Sequence, residues 1–304
     1  MRAKVSRRIN FTIKGQSKSR ARLQCQKHFS SQIPQFRDSK ITTTFHTALT
    51  LYQSLEAELH DAFWSAEGPP AELPLLRDFL KRHPGPALEL GCGSGRLLLP
   101  LLKDGFPLEG LDNAPEMIAL CKKDAQLQKL TPTLHCGDLF ALPAGPTYQA
   151  IAIPAFTLQL LPDPIAVVRR LSDLLPPDGG LYFSVFYPWA ELESELPENE
   201  FYPDHSLTLP NGQTARLTTK HSLDRQAQIL TRTHHYELLT GNEVGRSHQS
   251  TQIIRYCTEE DWAHLLDATG FRIQEKIEDF DPSQTNNEEA GETAGVTTFF
   301  AVKI

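Results

Sequence analysis

Between residues 87 and 186 short apolar runs alternate with helical repeats, and the first run ends in three closely spaced glycines. Ala87–Leu90 is that run, and Gly91, Gly93 and Gly95 follow it. Residues 97–103 continue as a helix that Gly105 can terminate. Further strands read at 107–111, 133–136, 148–153 and 181–186. Helices read at about 114–129 and at 163–175, the latter halted by Pro176-Pro177-Asp178-Gly179-Gly180. Alternating strands and helices build βαβ units, hence a mostly parallel sheet with helices on both faces. Right-handed crossovers leave few topologies, and ligands in such sheets sit beyond the carboxyl ends of the strands. Upstream, Phe45, Ala48, Leu49, Tyr52, Leu55 and Leu59 have helical spacing over 44–59. A second helix is expected over 71–82, stopped by His83-Pro84-Gly85-Pro86.

The chemistry gathers at those strand ends. Glu89-Leu90-Gly91-Cys92-Gly93-Ser94-Gly95 lets the backbone turn tightly against a ligand. The helix that follows offers free N–H groups and a partial positive charge. A dinucleotide fingerprint would need glycine where Arg96 stands, which weighs against a nicotinamide cofactor. Asp112 ends the second strand, where a carboxylate can accept from both hydroxyls of a ribose. Cys136-Gly137-Asp138-Leu139 closes the third, where a carboxylate can accept from an adenine amino group and the next N–H can donate to the ring. Met117 can cover an adenine face with a polarizable side chain. Taken singly, Asp112 and Asp138 are equally readable as helix N-caps, and the glycines as a tight turn. In order, at the ends of successive strands, they point to a nucleoside-bearing ligand.

Residues 87–186 resemble a class I S-adenosylmethionine (SAM)-dependent methyltransferase. The resemblance rests on LELGCGSGRLLLPLLKDG, GLDNAPEMI, HCGDLFALP, YQAIAIPAFTLQLLPDP and LLPPDGGLYFSVF, and extends to AELPLLRDFL upstream. It implies a Rossmann-like three-layer sandwich on a seven-stranded, mostly parallel sheet whose last strand, from the C-terminus, inserts antiparallel. It implies SAM as methyl donor and S-adenosylhomocysteine as product. Glu89, Gly91, Cys92, Gly93 and Gly95 then fall to the methionine part, Asp112 and Asn113 to the ribose, and Met117, Asp138 and Leu139 to the adenine. Pro154, at the end of the fourth strand, completes the cofactor set. Ile153-Pro154-Ala155-Phe156 lacks the Asn/Asp-Pro-Pro-aromatic signature of amino-directed nucleic-acid methyltransferases. Related small-molecule enzymes carry Asn and His near Phe156 and Leu160, where this chain is apolar, so no catalytic residue is assigned there. Pro100, early in a helix, conflicts with helix propensity.

After Phe186 the pattern changes. Residues 188–200 are acidic and irregular, while 214–222, 228–239 and 245–256 alternate as half-exposed antiparallel strands do. The resemblance implies that this insertion, 188–256, is a small antiparallel sheet over the substrate side. Thr258 is expected to cap a helix with Asp261 as its partner, and Gly270 to end it. Strands at 271–277 and 296–302 close the chain around a polar loop, 281–295. The expected division is thus a tail (1–40), helices and SAM-binding core (41–187), the insertion, and the returning core (257–304). Tyr52, Trp64, Phe156, Gln159, Tyr187, Trp189 and Arg255 are the candidate acceptor contacts, each equally readable as packing. His221, His234, His235 and His248 lie on insertion strands, where exposure is the ordinary expectation. Neighbouring His234 and His235 point to opposite faces of a strand and do not make a metal pair.

Charge divides the chain unevenly. Residues 1–37 hold ten of the 30 basic residues and none of the 37 acidic ones, so the remainder carries a net charge of −17 against −7 for the whole. Such a body repels nucleic acid, so no DNA partner is expected, and an RNA or protein acceptor less than a small molecule. The tail lacks the apolar stretch of a secretory signal and reads as an organelle transit peptide, an RNA- or membrane-attracted arm, or an extension without function. No run approaches the roughly 18 apolar residues that span a bilayer. Five cysteines, an odd number without C-x-x-C spacing, weigh against a zinc or disulfide framework and fit a reduced, cytoplasmic setting. Three further activities compete with small-molecule methylation: a methyltransferase using the tail to dock RNA or protein, a non-catalytic SAM-binding protein, and a nicotinamide oxidoreductase.

Overall fold

The structure, a computed structural model, describes residues 52–145, 147–285 and 295–304. The basic tail, Cys25 and the first half of the helix expected at 44–59 lie outside the described residues. Within them that helix is α1, Leu55–Ala66, which ends later than its spacing suggests. Helix α2 is Leu73–Arg82, with proline in its first turn, where the missing N–H costs nothing. The alternating region folds as β1 (Ala87–Leu90), α3 (Leu98–Lys103), β2 (Leu108–Asp112), α4 (Pro115–Leu127), β3 (Leu134–Cys136), β4 (Ala150–Ile153), α5 (Pro164–Leu174) and β5 (Gly180–Phe186). Pro100 falls in the first turn of α3, which removes the conflict with propensity.

A short helix, α6 (Trp189–Leu192), leads into β6 (Tyr202–Thr208), β7 (Thr214–Asp224), β8 (Ile229–Thr240) and β9 (Glu243–Arg255). The chain returns through α7 (Glu259–Ala268), β10 (Phe271–Glu278), β11 (Asp281–Thr285) and β12 (Val296–Lys303). At the head of α7 the expected capping box is complete: the Asp261 N–H donates to Thr258 Oγ1 (3.2 Å) and the Thr258 N–H to Asp261 Oδ2 (2.9 Å).

The main sheet runs β11-β10-β12-β5-β4-β1-β2-β3. Strands β1–β5 pair in parallel, and β12 enters antiparallel between β5 and β10. One face buries Val168, Leu171 and Leu174 of α5 with Trp262 and Leu266 of α7. The other buries Phe79 of α2, Leu98 of α3 and Ile118 of α4 against Tyr182 and Phe300. The result is a Rossmann-like three-layer sandwich with eight strands rather than seven. The eighth, β11, comes from the segment expected as a loop: Asp279 and Phe280 both adopt left-handed backbone (φ 46° and 58°), which folds β11 back along β10.

The insertion is a separate four-stranded antiparallel sheet, β6-β7-β8-β9. Strand β6 was not expected, because Pro203 and a register shift before His205 break its alternation. One face of this sheet turns inward. At one end Ala215, Leu217, Tyr236 and Leu238 pack on Leu55, Leu59 and Phe63 of α1. At the other, Leu230, Ile254 and Tyr256 pack with Leu160, Phe186 and Tyr187. The sheet therefore bridges α1 and the carboxyl end of β5.

Candidate active site

The glycine loop leaves β1 in left-handed backbone, with φ of 75° at Gly91, 54° at Gly93 and 87° at Gly95. A Cβ on Gly91 would stand 2.5 Å from Thr157 Cγ2, so the turn is packed tightly against the loop after β4. The Gly91 N–H donates to the Leu111 carbonyl (2.8 Å), which ties the turn to β2. Asp112 ends β2 and holds the loop from the other side: Oδ2 accepts from the Gly93 N–H and Oδ1 from the Ala114 N–H, both at 2.8 Å. Burial, the largest influence, raises its pKa, and the Ala114 and Gly93 N–H groups act against it.

The other expected cofactor residues are placed as follows. Cys92 is a buried, free thiol, and Asn113 is exposed beside Asp112. Met117, 1% exposed, packs with Ala57 of α1 and Ala114. Asp138 is exposed at the end of β3 and caps the turn that follows, accepting from the Phe140 N–H at 2.9 Å, while Leu139 is buried. Pro154 is buried at the end of β4.

A buried charge cluster lies beneath the loop, and only Glu89 in it was anticipated. Glu89 is 2% exposed and its Oε2 has no hydrogen-bond partner. Burial first, and then the neighbouring Glu72, push its pKa well above the ordinary value. Arg96 answers this charge together with that of Glu72 and Asp61, and its guanidinium lies 4.4 Å over the Trp64 ring. Ser94 donates to Asp61 (2.6 Å). The one sequence signal was the position of Arg96 directly after the last glycine; Asp61 and Glu72 sit on helices whose patterns mark only their apolar faces.

The Glu89 arrangement makes a stability prediction. Above the ordinary carboxylate range the unfolded chain has lost this proton while the folded chain keeps it, so stability falls as pH rises. Glu89→Gln is expected to flatten that slope and to raise the Tm of the ligand-free protein by about 2–4 °C or more at pH 8. Thermal scans at pH 5.5 and pH 8 check it.

Opposite the loop, Ala155 and Phe156 follow β4 with left-handed backbone, φ 52° and 64°. Such a pair is strained and is held by its surroundings, here by the Ala155 N–H donating to Glu72 Oε2 (3.0 Å). Phe156 meets Phe186 at 5.1 Å and Phe280 at 6.4 Å between ring centroids, an aromatic wall at the ends of β4, β5 and β10. Gln159 is 1% exposed, with its amide spent on backbone: Nε2 donates to the Phe186 and Arg255 carbonyls and Oε1 accepts from the Phe186 N–H. It is left out of the acceptor contacts proposed below. Tyr52 packs edge-on to His60, and its backbone N–H donates to Glu56 Oε2. Tyr187 packs on Trp189 (4.6 Å) and Tyr256, and the Arg255 Nε is buried without a partner. The insertion histidines depart from the expected exposure. His221 and His234 are 1% and 8% exposed on the inward face, while His235 faces outward beside Phe201 and His248 is half-buried against Tyr236. No cluster able to hold a metal occurs among the described residues.

Comparison with known proteins agrees with this geometry. A family model described as a methyltransferase domain matches residues 69–276. A protein of Geobacillus sp. (strain WCH70) named as a methyltransferase is 24% identical over 207 residues, 66% of this chain and 80% of that one. A ubiquinone biosynthesis O-methyltransferase of Coxiella burnetii (strain Dugway 5J108-111) is 31% identical over 97 residues, 32% of this chain and 42% of that one. Among solved structures, a SAM-bound amino pentose methyltransferase from Micromonospora echinaspora superimposes with a TM-score of 0.60 at 19% identity, covering 81% of this chain and 97% of that one.

Proposed function

This chain belongs to the SAM-dependent methyltransferase family, and on that premise we propose that it transfers the methyl group to a nitrogen or oxygen of a small molecule. The carrying observation is Glu89 Oε2, buried without a hydrogen-bond partner on β1 just before the left-handed glycine turn. SAM brings a sulfonium and an ammonium, cations that the acidic Glu89 and Asp112 can meet. Gly91, Cys92, Gly93 and Gly95 bound the methionine part, Asp112 and Asn113 the ribose, and Asp138, Leu139, Met117 and Pro154 the adenine side. When bound, SAM supplies an electrophilic methyl on sulfur, so the chain's own task is chiefly to position the acceptor and exclude water. Phe156 and Phe186 wall the acceptor side, with Tyr52, Trp64, Tyr187, Trp189 and Arg255 as further contacts. The Coxiella relative's name places its methyl on oxygen, and the pentose enzyme's name gives it an amino sugar.

The acidic body disfavours a nucleic-acid acceptor. No described helix is long and apolar enough to cross a membrane, and a cytoplasmic setting accords with the reduced cysteines. Calorimetric titration with SAM, followed by S-adenosylhomocysteine release over a panel of small amines and alcohols, tests the reading. The full chain and residues 41–304 are expected to perform alike. Activity that depends on residues 1–40 would favour a docked RNA or protein instead.

A further inference from the structure

Between its two apolar ends, the inward face of the insertion sheet carries a polar band. It contains a hydrogen-bonded chain that crosses three strands. Thr219 on β7 donates its hydroxyl to Asp204 Oδ2 on β6 at 2.6 Å, and Thr219 Oγ1 lies 2.9 Å from His234 Nδ1 on β8. Thr219 is 1% exposed and pairs in register with His234. The hydroxyl has one proton, already given to Asp204, so Nδ1 must carry the proton of the second bond. Nε2 is then the basic nitrogen.

The position of His234 follows from its neighbours along β8. Two residues before it, Arg232 lies 5.1 Å over the Phe186 ring, at the carboxyl end of β5. Two residues after it, Tyr236 packs on Phe63 of α1 (6.4 Å) and feels the charge of Glu56. Residues 232, 234 and 236 share one face of the strand. His234 therefore spans the gap between α1 and the aromatic wall, over the ends of the parallel strands. Arg232, itself paired with Glu191, as well as Asp204 and His205 face the imidazole, and the Gln252 side-chain amide hydrogen-bonds to it. Burial first, and then the Arg232 guanidinium, outweigh Asp204 and the Gln252 hydrogen bond, lower its pKa to about 4 and leave the imidazole neutral at physiological pH.

We propose that His234, oriented by Thr219 and Asp204, is the proton acceptor for a hydroxyl-bearing substrate. The inference rests on the methyl-transfer reading above. The substrate oxygen forms the new O–CH3 bond, the C–S electron pair stays on the donor sulfur, and the O–H proton passes to His234 Nε2, later to water. A weakly basic imidazole suits this chemistry, because a hydroxyl becomes strongly acidic only as it is methylated. An alkylammonium would not give up its proton to such a base.

The test compares wild type, His234→Gln and Thr219→Val of the full chain, with SAM and a panel of small alcohols, phenols and amines. SAM affinity should be alike in all three. Turnover of a hydroxyl acceptor should fall about 100-fold or more in His234→Gln and about 10-fold in Thr219→Val. The acid limb of kcat, where falling pH protonates the imidazole, should vanish with His234. Independently of turnover, a nitrogen-15 histidine spectrum should show the Nδ1-protonated tautomer for His234 and its loss of preference in Thr219→Val. An Nε2-protonated imidazole, hydroxyl turnover unchanged in His234→Gln, or a wild type that binds SAM yet methylates no hydroxyl would each overturn the proposal. Failure to bind SAM would instead remove the methyl-transfer reading, and the spectrum would still decide the His234–Thr219 bond.

Discussion

Asp112→Ala is expected to weaken SAM binding by about 100-fold or more, measured by calorimetry. The carboxylate is placed to act twice. Each oxygen already accepts one backbone N–H, from Gly93 or Ala114, and each retains a lone pair for one ribose hydroxyl. Two hydrogen bonds to a charged, part-buried group contribute about 1.5–3 kcal/mol each. A loss of about 3 kcal/mol is about 100-fold in Kd. Alanine also frees the Gly93 N–H, so the loop loses the tie that holds its left-handed turn in place. Asp112→Asn separates the two roles, since its oxygen can still cap one N–H while its amide cannot accept. The carboxylate form is the binding form and its pKa is raised by burial. Affinity should therefore decline as pH falls, beginning above the pH at which an exposed aspartate would protonate. Unchanged affinity in Asp112→Ala would remove Asp112 from the site.

What the sequence made legible follows from how local each signal is. The core strands are short apolar runs whose ends carry glycine or a carboxylate, so Ala87–Leu90 with its glycine loop, and Asp112 at the end of β2, could be read within a few residues. Gly270 and the Thr258–Asp261 box marked the ends of a helix for the same reason. The insertion was legible as strands but not as faces. Leu217, Thr219 and His221 alternate in register with the apolar residues, yet whether a polar residue on that face meets water or a buried band depends on α1 and the end of β5. That dependence is why buried His221 and His234 were expected on the surface. Strand β11 escaped notice because Asp281–Thr285 is polar and pairs only through the left-handed turn at Asp279 and Phe280. Glu72 had no local mark, since its partners lie 83 to 112 residues away.

Glu72 carries the largest expected effect on stability. The side chain is 4% exposed, at the head of α2. Its Oε1 accepts from the Tyr182 hydroxyl (3.0 Å) and the Ser184 hydroxyl (2.7 Å), neighbours on one face of β5, and its Oε2 from the Ala155 N–H. One carboxyl thus joins α2, β5 and the strained loop after β4. Glu72→Ala leaves the buried Tyr182 and Ser184 hydroxyls and the part-buried Ala155 N–H without this acceptor, each buried donor costing about 1–3 kcal/mol, so a loss of about 3–5 kcal/mol is expected in denaturant unfolding. Adding Tyr182→Phe and Ser184→Ala should restore about half of it or more, because removing the orphaned donors removes their desolvation cost. The Ala155 N–H cannot be removed in this way, so Phe156 should remain misplaced in the triple variant. Recovered stability with acceptor turnover still depressed would identify Glu72 as a positioning residue for the acceptor wall. Turnover that recovers in step with stability would confine it to holding the fold.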